Sequence, residues 1–160
     1  MVRIGIGSDH FGFGLKGKLL SHLLDTGRDA HDFGTFTGEP VDYPEIAVKV
    51  AEAVRAGVIE RGILVCGTGL GMAIAANKVR GILAAPVTDV YTARLARERN
   101  NTHIITLGAN VVGAGLATDI VDAWLSAEFR HGDSERKVGQ ILALDERYRS
   151  RDLPVLLLEG

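Results

Sequence analysis

The chain has 160 residues, 46% of them apolar and 24% charged, with a formal net charge of -2. That length favours one domain with a sizeable core, and so even a charge balance argues against nucleic acid or a membrane surface as a partner. The single cysteine excludes an intramolecular disulfide and fits a reducing compartment. "MVRIGIGSDH" is too short an apolar run for a secretory signal, and no stretch approaches the ~20 apolar residues of a membrane span. The expected location is the cytoplasm.

Short apolar runs alternate with longer amphipathic ones. Residues 2–7, "VRIGIG", read as a strand ending in glycine, and the spacing of Leu15, Leu19, Leu20, Leu23 and Leu24 predicts a helix after it. A short run over 29–34 leads into the loop "TGEPVDYP". Pro44 and Glu45 then open a helix with Ile46, Val50, Ala53 and Val54 on one face, closed by Gly57. "GILVC" (62–66) is continuously apolar, as in a strand covered on both sides. After a glycine-rich turn and the small-residue helix "MAIAANK", the alternation continues through 81–87, 88–101, 103–109 and 112–129. A polar helix is expected over 133–149. Residues 1–150 read as one domain and 151–160 as a tail, whose "PVLLL" is expected either to meet a partner subunit or to pack locally. Repeated strand–helix units imply an α/β fold with a mainly parallel sheet of about five strands and helices on both sides. Right-handed crossovers place every strand's C-terminal end on one edge, where ligands bind in this architecture.

Two strand ends carry the chemistry. One is Gly7-Ser8-Asp9-His10; the other is Cys66-Gly67-Thr68-Gly69-Leu70-Gly71. Glycines after a strand let backbone N–H groups approach a ligand, and those donors bias a thiol toward its anion. Cys66 is therefore a candidate base or nucleophile, set against the commoner role of an inert buried cysteine. "GTGLG" does not complete G-x-G-x-x-G, because Met72 takes the third glycine's place, and no G-x-x-x-x-G-K-[ST] occurs. His10, His22, His31, His103 and His131 lack metal-ligand spacing, so no metal is expected. Arg94, Arg97 and Arg99 on one helix read as a solvated face.

Taken together, "GSDHFGFGLK", "DYP", "CGTGLGMAIAANKVRGILAA", "YTARLARERNN", "LGANVVG" and "IVDAWL" resemble the type B ribose-5-phosphate isomerase family, which includes the subunits of galactose-6-phosphate isomerase. The resemblance runs in order from residue 3 to about residue 148. It implies a Rossmann-like three-layer α/β/α fold and a cofactor-free, metal-independent aldose–ketose isomerase. It also implies a homodimer or dimer of dimers with active sites at a subunit interface. By the same resemblance Cys66 moves a proton between C1 and C2, Thr68 relays protons between the sugar oxygens, and the backbone of the Gly67–Gly69–Gly71 turn holds the enediolate. Asp9, Tyr43 and Asn100 match residues that hold sugar hydroxyls, and His10 matches one near the phosphate.

Four positions depart from the family pattern. Arg99 stands where a ring-opening histidine is usual, and Asn110, Asp133 and Lys137 stand where arginines grip the phosphate. Lys137 keeps a charge without the guanidinium fork, and Arg136 lies beside it as a substitute. A four-carbon sugar phosphate has no hydroxyl able to close a five-membered ring, so it needs no ring opener, and its phosphate would lie closer to Arg99. Erythrose 4-phosphate/erythrulose 4-phosphate isomerisation explains these changes together. The alternatives are ribose 5-phosphate as in the family, a non-phosphorylated sugar or sugar acid, and a non-catalytic sugar-phosphate-binding subunit.

Overall fold

The computed structural model describes residues 1–148; the 151–160 tail, with its expected subunit contact, lies outside the described residues. Strands β1 (Arg3–Ser8), β2 (Asp29–Asp32), β3 (Arg61–Cys66), β4 (Ala84–Pro86) and β5 (Ile104–Gly108) form one sheet. Their order is β2-β1-β3-β5-β4, and every neighbouring pair is parallel. Helices α1 (Phe13–Asp25), α2 (Tyr43–Arg55), α3 (Leu70–Ala76) and α4 (Val90–Glu98) connect the strands, and α5 (Ala114–Ser126) and α6 (Asp133–Arg147) follow β5. The result is the expected Rossmann-like arrangement. No helix among the described residues is long and apolar enough to cross a membrane.

Side chains alternate across a strand, and β3 uses both of its faces. Ile63 and Val65 join Ile4, Ile6, Ile105 and Leu107 beneath α1, α4 and α5, while Leu64 and Cys66 join Ile104 beneath α2 and α3. Burying each such aliphatic side chain contributes roughly 1.5–3 kcal/mol. A one-residue slip of register would exchange the two faces, so the pairing of Cys66 with Gly108 is strongly specified. The chain leaves β1 outward to β2 and returns through α2 to β3 on β1's other side. That reversal opens a crevice between the C-terminal ends of β1 and β3.

Several elements differ from expectation. β4 keeps only three residues of the 81–87 run. The Gly81 amide bonds to Asp145 of α6, the Leu83 amide to His103, and the Asn77 side chain takes both backbone groups of Ala84. α2 begins at Tyr43, one residue before Pro44, and buries Ile46, Ala47, Val50 and Ala51 most deeply, leaving Ala53 and Val54 half-buried. Arg97 is not part of a solvated face. It is half-buried, folds over the end of α4, and donates to the Thr102 carbonyl at 3.3 Å and to Asn101. Lys16 lies buried within the apolar face of α1, where Asp32 accepts both ammonium hydrogen bonds at 2.7 Å and the Thr35 carbonyl a third at 2.6 Å.

His103 makes the fold sensitive to acid. Burial, reinforced by repulsion from Arg97 and Arg61, pushes its imidazole down to about 4. The unfolded chain protonates near the ordinary value of about 6.5, so it takes up the proton first as pH falls. This contribution is complete above about pH 6.5 and is lost on the way down to about pH 4, on the order of 3 kcal/mol if the whole shift is realised. His103→Asn retains an acceptor for the Leu83 amide without titrating. Its urea midpoint is expected to fall less than the parent's between about pH 7 and about pH 5. Equal losses would assign the acid sensitivity to other groups.

Candidate active site

The crevice between β1 and β3 holds a cavity of about 320 Å³ lined by Asp9, Phe11, Tyr43, Cys66, Gly67, Thr68 and Gly71. Cys66 ends β3 and is only 5% exposed, yet it forms part of the cavity wall. The Gly69 amide donates to its Sγ at 3.1 Å. That geometry needs a residue able to sit at φ 80°, and a side chain at position 69 would also press on the Leu107 and Gly108 backbone. The turn rests on β5 and the loop beyond it. Ala109 and Asn110 amides donate to the Cys66 and Gly67 carbonyls at 2.8 and 3.0 Å, and the Thr106 hydroxyl donates to the Gly69 carbonyl at 2.7 Å.

The remaining wall residues come from three elements. Asp9 follows β1, is nearly buried, and accepts the Gly12 amide on Oδ1 at 3.0 Å. Among the described residues its other carboxylate oxygen has no hydrogen-bond partner, and Asp9 lines the cavity. Tyr43 opens α2, and its ring lies where a Cβ on Gly71 would come within 2.6 Å of Cζ. Gly71 is therefore the space that lets the phenol enter the site. Thr68 is exposed, and its Oγ1 accepts the Leu70 amide at 3.3 Å.

Not every predicted contact meets here. The amides of Gly69 and Leu70 are already engaged with Cys66 and Thr68, so the turn offers fewer donors than its five residues promised. His10 faces an adjoining cleft of about 330 Å³ with Pro40, Val41, Asp42 and Glu45. Its Nδ1 accepts the Val41 amide at 3.3 Å, so the neutral ring carries its proton on Nε2 as a donor. Arg99 and Asn100 follow α4, just before β5 begins. They sit at the sheet edge opposite Cys66, about 13 Å away along the four strand steps from Gly62 to Cys66 alone. Arg136 and Lys137 are exposed on α6, whose other end is held at Arg80 and Gly81 by Glu146 and Asp145. None of these four residues lines the cavity.

Phe11 and Thr106 carry no role in the motifs above. Phe11 lines the cavity, stacks on His10 with ring centroids 4.3 Å apart, and remains 64% exposed. An aromatic residue directly after Asp9-His10 was its available signal. Thr106 is fully buried in the otherwise apolar strand "IITLG". Among the described residues no group of three His, Cys, Asp or Glu side chains converges as metal ligands would.

Known proteins share both sequence and architecture. A family model, ribose/galactose isomerase, matches residues 4–141. Ribose-5-phosphate isomerase B of Escherichia coli is 44% identical over 147 residues, covering 92% of this chain and 99% of that protein. D-erythrulose-4-phosphate isomerase of Pectobacterium atrosepticum is 46% identical over 142 residues, covering 88% of this chain and 93% of its own length. The solved structure of Clostridium thermocellum ribose-5-phosphate isomerase B superimposes with a TM-score of 0.90 at 52% identity, over 91% of this chain and 99% of that one. With a family model matching residues 4–141 and relatives of this identity and coverage, the chain belongs to the ribose/galactose isomerase family.

Proposed function

We propose that the chain is an aldose–ketose isomerase of a short sugar phosphate, with Cys66 as the base and a four-carbon substrate preferred over ribose 5-phosphate. The observation that carries the reading is the position of the Cys66 sulfur: in the cavity wall, at a strand's C-terminal end, with a backbone amide aimed at it. The carbon next to a sugar carbonyl is a weak acid. Cys66 takes its proton, the electron pair moves into an enediolate, and the proton returns to the neighbouring carbon. Thr68 carries the second proton between O1 and O2. Such base catalysis is worth roughly 10²–10⁴ in rate. The amides of Gly67, Thr68 and Gly71 are the donors left for the enediolate oxygens, and losing one preorganised donor typically costs on the order of 10²–10³.

Identity does not select the chain length of the substrate, since relatives named for ribose 5-phosphate and for D-erythrulose 4-phosphate are 44% and 46% identical. Local chemistry favours the shorter one. Arg99 replaces a ring-opening imidazole with a fixed cation, which suits a sugar that cannot close a furanose ring, and the Phe11 ring occupies part of the cavity mouth. Arg99 and Asn100 reach the cavity from a second copy of the chain, whose β5-entry edge packs on the first copy's Cys66 edge. The apolar residues left exposed near the cavity, Phe11, Leu70, Ile74 and Val111, support such a cover. Steady-state kinetics on four-, five- and six-carbon aldoses, each with and without phosphate, test the reading. The highest kcat/KM is expected for erythrose 4-phosphate. Best turnover on ribose 5-phosphate would remove the four-carbon preference, and binding without turnover across the panel would remove the isomerase itself.

A further inference from the structure

We infer that Thr106, a buried β5 residue that does not line the cavity, is a positioning residue for the catalytic thiol, acting through the carbonyl of Gly69. The inference rests on the proposed role of Cys66. Thr106 points to the α2–α3 side of the sheet, the side that also receives Cys66, and its fully buried hydroxyl donates to the Gly69 carbonyl at 2.7 Å. That carbonyl also accepts the Ala73 amide at 3.2 Å, the opening bond of α3. The same residue, Gly69, presents its N–H to the Cys66 sulfur at 3.1 Å. Gly69 sits in the left-handed region, at φ 80° and ψ -16°, where glycine has wide freedom to move. Its two peptide planes are therefore held by what bonds to them.

Three hydrogen bonds pin the turn to β5 and the loop after it. Two come from the backbone amides of Ala109 and Asn110, which any sequence would supply. The third comes from a side chain, and it acts on the residue whose amide meets the sulfur. A hydroxyl on a strand interior thus anchors the carbonyl side of the glycine whose N–H meets the reacting atom. Hydrogen bonds to charged groups are strong and steep in geometry. A small rotation of the Gly69 amide would weaken its contact with the Cys66 sulfur.

Thr106→Val keeps the shape and removes the hydroxyl, and Thr106→Ser keeps the hydroxyl and removes a methyl. Cys66 is the chain's one cysteine, so iodoacetamide reads it directly and without substrate. Thr106→Val is expected to move the alkylation pH profile upward and to lower kcat about three- to tenfold, with KM within about twofold of the parent. Thr106→Ser should restore both. An unchanged alkylation profile in Thr106→Val, or a serine variant that behaves like valine, would overturn the inference. If Thr106→Val is too unstable to purify, Thr106→Ser and Thr106→Cys/Cys66→Ser are not substitutes; Thr106→Ala, which also lacks the hydroxyl, must then show the same upward profile, and a parent-like profile there overturns it equally. A shifted profile in a protein that turns over no sugar phosphate would sink the isomerase reading while leaving the positioning role of Thr106 intact.

Discussion

Cys66→Ala is expected to lower kcat by about 10²–10⁴ while the protein still binds its sugar phosphate, because the substitution deletes the base and leaves the rest of the cavity in place. The wall residues Asp9, Tyr43 and Thr68 are held by contacts independent of the sulfur: Asp9 by the Gly12 amide, Tyr43 by the start of α2, Thr68 by the Leu70 amide. The turn itself stays anchored through the Ala109, Asn110 and Thr106 hydrogen bonds. Removing one small buried side chain at the sheet edge is a modest change to the core, so the thermal midpoint should move little. Single-turnover kinetics and calorimetric binding separate the two effects. Retained turnover would show that another group moves the proton.

Mixing two crippled chains gives the second large effect. Arg99→Ala is expected to raise KM more than about tenfold by removing a charge-assisted contact to the phosphate. Cys66→Ala and Arg99→Ala each damage every site when present alone. If Arg99 of one copy serves Cys66 of the other, a mixed dimer has one doubly altered site and one intact site. Random reassembly of equal amounts then gives about a quarter of the parent's activity at substrate concentrations well below KM. No recovery would mean that both residues act within one chain, against the opposite edges they occupy on this sheet. The experiment needs no substrate other than the best one from the sugar panel.

The two strand ends that carry the site were legible early, because glycines and a cysteine after an apolar run are local features. β1, β3 and β5 fall within a residue or two of expectation, each being a short apolar run bounded by turn residues. "GILAAPV" is as apolar as a strand throughout, and only the side-chain bonds from Asn77, His103 and Asp145 show that part of it is a turn. Lys16 is buried against Asp32, a partner sixteen residues away on another element that no local pattern announces. Arg97 reads as solvated for the same reason: nothing within a helical turn announces Thr102's carbonyl.

What the sequence determined by itself is the class of fold, the strand edge that carries the candidate site, and the sulfur at its lip. Periodicity and glycine placement act over a few residues, and those properties follow from them. What the tertiary structure decided is which amides remain available, why Gly71 must yield space to Tyr43, and that Arg99 lies on the far edge from Cys66. These depend on the register of parallel strands and on loops brought together from distant parts of the chain, and no local pattern encodes a distance across a sheet.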